Sequence, residues 1–254
     1  MKLLRYRTPD GPAYGSLKQD GSVNAIQGDP FREFTVGGTV GSYDELEVLA
    51  PVVPGKIIAV GINYRAHAAE MNMEVPSFPM LFFKPPSSVI GPGEAIVLPR
   101  SSEQVEHECE LALVIGRRTR NASKDEALDC LLGYTAANDV SARDWQAREN
   151  QWVRAKSFDT FLPLGPVIVS NLNPDSLKVS TRVNGKTTQD SNTSDMIFAC
   201  AFLIQEISQV MTLEPGDVII TGTPQGVGPI THGDTVEVEV ENVGVLSNPA
   251  VAES

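Results

Sequence analysis

The stretch Glu108-Cys109-Glu110-Leu111-Ala112-Leu113-Val114-Ile115 carries two carboxylates directly into an unbroken apolar run. A run of this length and composition reads as a buried strand. Side chains alternate faces along a strand, so Glu108 and Glu110 point the same way, with Ala112 and Val114 following on that side. Like charges turning inward need protonation, a cationic partner or a metal ion. An edge strand with a wet, charged face is the competing reading. Glu106 shares the parity one step further out and is expected to be solvated.

Outward from this segment, strand-like runs recur: Lys56 to Gly61, Met80 to Phe83, Ala95 to Leu98, Tyr134 to Ala137, Pro166 to Val169, Val179 to Val183, Val218 to Thr221 and Val236 to Val240. Two longer helices are expected. One opens with Ser123 and Glu126 at capping-box spacing and closes at Gly133; the other runs from about Asp195 to Met211 and ends before Pro215-Gly216. Strands and helices do not alternate, and no glycine-rich phosphate loop follows a strand. The class is therefore a β-rich α+β fold rather than a doubly wound one. In residues 1–53, Tyr14 to Leu17 and Val23 to Ile26 flank an Asp-Gly turn, which predicts a small N-terminal β domain. Pro51 and Pro54-Gly55 then set the boundary with a main domain over 54–254.

The 254 residues are 41% hydrophobic and 20% charged, ordinary for a globular chain. No run of about 18 apolar residues occurs, and the N-terminus lacks a signal-peptide core, so a soluble cytoplasmic protein is expected. The net charge of −12 argues against nucleic acid or an anionic membrane as partner. Cys109, Cys130 and Cys200 form no CxxC pair, which disfavours disulfides and zinc clusters; Cys109 and Cys200 read as core thiols.

Asp139, following the strand-like Tyr134 to Ala137, could join Glu108 and Glu110. Three carboxylates without histidine or thiolate form a hard oxygen site suited to Mg²⁺ or Mn²⁺, with Ca²⁺ as a substitute, better than to zinc. Asp139 could equally cap a turn or pair with Arg143. His67 and Glu70 lie three apart on a short helical segment, where a carboxylate can orient a histidine as general base; a surface pair is the alternative. His107 and His232 are not assigned chemistry. Lys156 among small and aromatic neighbours could stabilise developing negative charge, or be an ordinary surface lysine. Within Thr221-Gly222-Thr223-Pro224-Gln225-Gly226-Val227-Gly228, the glycines permit close approach of a ligand and the Thr223 hydroxyl could bind a carboxylate; a plain turn fits as well.

The order and wording of these segments resemble the fumarylacetoacetate hydrolase family from about Pro54 to Pro249. The resemblance rests on Gly61-Ile62-Asn63-Tyr64, Phe83-Lys84-Pro85-Pro86, Glu108-Cys109-Glu110-Leu111, Asn138-Asp139-Val140-Ser141-Ala142-Arg143-Asp144, Ala155-Lys156-Ser157-Phe158-Asp159 and Thr221-Gly222-Thr223-Pro224. It implies a mixed β-roll catalytic domain, a homodimer, and a divalent ion held by Glu108, Glu110 and Asp139. It also implies a small 2-oxo acid or its enol as substrate. By the same resemblance His67 and Glu70 form a dyad on a lid segment, Lys156 stabilises enolate charge, and Arg143, Gln146 and Thr223 lie near the substrate carboxylate and oxo group. Ile62 departs from the arginine that several acylpyruvate-cleaving relatives carry. The expected reactions are acylpyruvate C–C hydrolysis and oxaloacetate decarboxylation. Isomerisation of 2-hydroxyhepta-2,4-diene-1,7-dioate is the alternative within the family, and a non-catalytic oxo-acid binding module the alternative outside it.

Overall fold

The computed structural model describes residues 1–254 and is strand-rich, as the alternating patterns predict. The Cys109–Ile115 strand lies in the middle of a 12-stranded mixed sheet. On one side it pairs antiparallel with Leu131–Asn138, which pairs with Leu162–Val169. On the other it pairs with Val218–Ile220, then parallel with Ile57–Gly61, and the sheet ends at Met80–Lys84. Lys2–Thr8 joins through Lys2↔Val169 and Leu3↔Ile168, so the N-terminal strands extend the same sheet. A second sheet of five strands runs Lys186–Asn192, Lys178–Val183, Thr235–Val240, Gly244–Ala252, Ile96–Leu98.

Alternate residues of the central strand bury in different cores, as strand geometry requires. Cys109, Leu111, Leu113 and Ile115 join the large cluster that takes Leu203, Ile204 and Ile207 from the Cys200–Val210 helix. Ala112 and Val114 join a smaller cluster with Ile57, Ala59, Leu162 and Leu164. Glu110 therefore projects on the side of the smaller cluster, at the end where apolar packing gives way to the site.

Two helices differ from their sequence patterns. Ser123 Oγ does donate to Glu126 Oε2 at 2.7 Å, but only a 3₁₀ turn follows, Ala127–Cys130, and Gly133 lies inside the Leu131–Asn138 strand. Pairing with two neighbouring strands outweighs the local cap. A Cβ at position 133 would come within 2.5 Å of the Val169 carbonyl oxygen, so glycine serves close strand packing there rather than helix termination. The second helix is shorter than its pattern: Thr193–Asp195 form a 3₁₀ turn and the α-helix begins at Cys200.

Candidate active site

The antiparallel register sets Asn138 opposite Cys109, which brings the following residue, Asp139, beside Glu108. The junction is locked reciprocally: Asp139 N–H donates to the Glu108 carbonyl and Glu108 N–H to Asn138 Oδ1, both at 2.9 Å. Glu108 sits at the break between the Val105–His107 and Cys109–Ile115 strands, which frees it to face the same space as Glu110. Carboxylate oxygens of Glu108, Glu110 and Asp139 all lie within 4.8 Å of one another, and all three residues are buried.

Three cations are drawn into this acidic centre. Lys156 Nζ donates to Glu108 Oε2 at 2.9 Å and Asp139 Oδ2 at 2.7 Å. Lys84 Nζ donates to Asp139 Oδ1 at 2.6 Å and the Val140 carbonyl at 3.3 Å. Arg143 Nη2 lies 2.6 Å from Glu108 Oε1, and its Nε donates to Glu106 Oε2 at 2.7 Å. Lys156 is thus a fully buried ammonium rather than a surface one. Glu106, expected in water, is only 8% exposed and paired with Arg143, which arrives from 37 residues downstream and supplies the charge that makes burial tolerable.

Glu110 differs from its neighbours. Its one hydrogen-bond donor is the Gly222 N–H at 2.6 Å, and it makes no ion pair with lysine or arginine. Burial, and then the Asp139 and Glu108 charges, push its carboxyl well above the ordinary range despite Lys156 and that N–H. Glu108 goes the other way: burial would raise it, but Lys156 and Arg143 together hold it below the ordinary value. Burial likewise opposes the Lys156 charge, while Asp139 and Glu108 raise its pKa overall. In Lys84 burial wins and its pKa is lowered, with Lys156 adding to the repulsion. A buried carboxyl without a cation, facing two carboxylates, fits an all-oxygen site for a hard divalent ion.

His67 and Glu70 come from the Arg65–Glu70 helix, with His67 Nδ1 2.9 Å from Glu70 Oε2. Glu70 Oε1 also accepts the Gly226 N–H at 2.9 Å, tying this helix to the glycine-containing loop. Seven of the nine residues singled out in the sequence, His67, Glu108, Asp139, Arg143, Gln146, Lys156 and Thr223, line one cleft of about 410 Å³. Glu70 touches the cleft through His67, and Glu110 does not line it but keeps its carboxylate within 4.8 Å of those of Glu108 and Asp139. Ile62, Met71, Met73 and Trp152 supply its apolar wall. Ile62 has φ +51°, a costly conformation for a β-branched residue, of order 1–3 kcal/mol. The adjoining chain is held by buried Asn63, whose side chain bonds Phe198 and Thr221 backbone groups.

Lys84, Glu106 and Gln189 take part in this site without a role expected from the sequence. Lys84 closes an apolar strand, and a lysine in that position is itself a signal of a buried anion. Gln189 sits in a polar run on an edge strand and gives no such signal.

A model of the fumarylacetoacetate (FAA) hydrolase C-terminal domain matches residues 56–251. The chain belongs to the fumarylacetoacetate hydrolase family. An N-terminal model, Rv2993c-like, matches residues 1–51. The family member oxaloacetate tautomerase fahd2, mitochondrial, of Xenopus laevis is 40% identical over 290 residues, covering 99% of this chain and 90% of its own. The crystal structure of 5-carboxymethyl-2-hydroxymuconate delta-isomerase from Mycobacterium smegmatis superposes with a TM-score of 0.93 at 45% identity, covering 100% of both chains. That of 2-hydroxyhepta-2,4-diene-1,7-dioate isomerase from Mycobacterium marinum gives 0.92 at 41%, covering 100% of this chain and 99% of the other. The fold is thus the family's β-rich α+β fold, and the chain is an enzyme of that superfamily.

Proposed function

We propose that the protein is a divalent-metal-dependent enzyme that acts on small 2-oxo acids through an enolate, by acylpyruvate C–C hydrolysis, oxaloacetate decarboxylation or both. The observation that carries this reading is the convergence of Glu108, Asp139, Lys156, Arg143 and His67 on one cleft, with the buried Glu110 carboxylate within 4.8 Å of those of Glu108 and Asp139. Glu108, Glu110 and Asp139 would hold Mg²⁺ or Mn²⁺, which supplies Lewis-acid polarisation of the substrate's oxo group.

Arg143, Gln146 and Thr223 orient the substrate carboxylate and oxo group. Arg143 enters this role already aligned, since Glu106 fixes its Nε and its Nη1 donates to Gln146 Oε1 at 2.7 Å. Lys156 holds positive charge beside the position where enolate charge develops. In hydrolysis, His67 oriented by Glu70 takes a proton from water as the oxygen adds to the distal carbonyl. The C–C bond then breaks and leaves its electron pair as the enolate, which is reprotonated. In decarboxylation the enolate forms by loss of CO₂ and no activated water is needed.

A second reading, enol–keto tautomerisation or isomerisation of a dienol diacid, is favoured by the relatives described as an oxaloacetate tautomerase and as isomerases. It asks only that His67 and its neighbours relocate a proton. The test is turnover of acetylpyruvate and oxaloacetate, and the rate of oxaloacetate enol–keto interconversion above the protein-free rate, with Mg²⁺ and with EDTA. Binding without turnover of any of them would leave the oxo-acid binding module.

The same reading includes a cytoplasmic homodimer. The edge strand Met80–Lys84 exposes Leu81 and Phe83, with Phe78 and Val153 also exposed, which supports a second copy as the cover for this apolar edge. No helix is long and apolar enough to cross a membrane.

A further inference from the structure

Thr223 owes its hydrogen-bonding direction to a residue outside the cleft. Gln189, on the edge strand Lys186–Asn192, is buried at 1% exposure and inserts between the Glu108 strand break and the Thr223 loop. Its Oε1 receives the Cys109 N–H at 2.9 Å and the Thr181 hydroxyl at 2.8 Å, and lies 3.1 Å from His107 Nδ1. Its Nε2 donates to Thr223 Oγ1 at 2.8 Å and to the Pro224 carbonyl at 2.9 Å. The amide has only one workable orientation. A backbone N–H can only donate and a backbone carbonyl can only accept, so Cys109 and Pro224 fix Oε1 and Nε2 in place. Thr223 Oγ1 must then accept from Nε2, and its own hydrogen is left to point elsewhere. Thr223 lines the cleft, so that hydrogen is available to a ligand there.

We infer that Gln189 is a positioning residue that turns the Thr223 hydroxyl into a fixed donor toward an anionic oxygen of the bound 2-oxo acid. This rests on the 2-oxo acid reading above and deepens it. Gln189 touches no substrate; it acts by occupying the acceptor side of Thr223. With a carboxylate at position 189 the preference reverses, because Thr223 would donate to that carboxylate and present only lone pairs to an anionic ligand.

The experiment compares the full-length wild type with Gln189→Glu, Gln189→Met, Thr223→Val and the Gln189→Glu/Thr223→Val double variant. It reads pyruvate Kd by calorimetry on Mg²⁺-loaded protein, together with kcat and KM for oxaloacetate, while thermal unfolding checks that each variant is folded. A hydrogen bond to a charged group contributes about 1.5–3 kcal/mol, so pyruvate Kd and oxaloacetate KM should rise roughly 10- to 100-fold in Gln189→Glu and in Thr223→Val. The kcat should change far less, and the double variant should match Thr223→Val alone. Gln189→Met, which cannot compete for the hydroxyl hydrogen, should weaken pyruvate less than Gln189→Glu does. Unchanged pyruvate Kd in folded Gln189→Glu overturns the inference. So does a Gln189→Glu penalty that persists in full without the Thr223 hydroxyl, since Gln189 would then act only through general packing. Wild type that binds pyruvate yet turns over neither oxaloacetate nor acetylpyruvate refutes the proposed reaction while leaving the Kd comparison intact. Wild type that binds no pyruvate refutes both.

Discussion

Replacing Glu110 by glutamine should change the pH dependence of stability of the metal-free protein in a calculable way. In the fold Glu110 faces Glu108 and Asp139 with no cation of its own, and its pKa is raised well above the ordinary carboxyl value. In the unfolded chain it ionises at about 4.3. Between these two values the folded state binds one proton more than the unfolded state. The stabilising contribution of neutral Glu110 is therefore complete below the unfolded pKa and is lost as pH rises toward the folded one. The loss is about 1.4 kcal/mol per pH unit for one proton. His107 and Lys84, whose pKa values are both lowered, add slopes of the opposite sign, His107 below about pH 6.5 and Lys84 at higher pH. Both remain in the variant, so the difference between wild type and Glu110→Gln isolates Glu110. Urea unfolding in EDTA at several pH values from 5.5 to about 7.5 should show the variant gaining on wild type by about 1.4 kcal/mol per unit until the folded carboxyl ionises. With saturating Mg²⁺ the order should invert, because an ion held at the proposed site would stabilise the folded wild type and Glu110→Gln would lack one of its ligands. Parallel pH profiles in EDTA would refute the reasoning that Glu110 is a buried carboxyl lacking a cation.

Three further outcomes follow from the same geometry. His67→Ala should lower acylpyruvate hydrolysis by roughly 10²- to 10⁴-fold, the range for a general base, while oxaloacetate decarboxylation falls much less; equal losses in parallel kinetic assays would remove the water-activating role. Leu111→Ala, at a fully buried position of the central strand, should cost about 2–5 kcal/mol in urea unfolding; a cost below ~1 kcal/mol would mean the strand is not the core element described here. Phe83→Asp on the exposed edge should shift sedimentation from dimer to monomer without lowering thermal stability of the protomer; an unchanged dimer would place the interface elsewhere.

Much of this was legible because strand parity is strict. Glu108 and Glu110 announce an inward carboxylate face, and the apolar alternation behind them sorts correctly into two cores. Parity fails where partners come from afar. Glu106 reads as solvated until Arg143 folds back onto it, and Lys84 meets Asp139 across 55 residues of sequence. The Ser123–Glu126 cap does form, but a local hydrogen bond cannot hold a helix where Leu131–Asn138 is claimed by strands on both sides. Gln189 was invisible for a different reason. Its five polar contacts come from three separate segments, around residues 107–109, 181 and 223–224, and only the tertiary arrangement makes a neutral amide on a polar edge strand consequential.

The central claim is that Glu108, Glu110 and Asp139 hold a divalent ion on which 2-oxo acid chemistry depends. Its most direct test is oxaloacetate and acetylpyruvate consumption by EDTA-treated protein as Mg²⁺ or Mn²⁺ is added back, each rate taken above the protein-free rate at the same metal concentration. The account predicts no consumption of either substrate in EDTA, saturable recovery of at least one with added ion, and no recovery in Asp139→Asn. Equal rates with and without metal, or full recovery in Asp139→Asn, would contradict it.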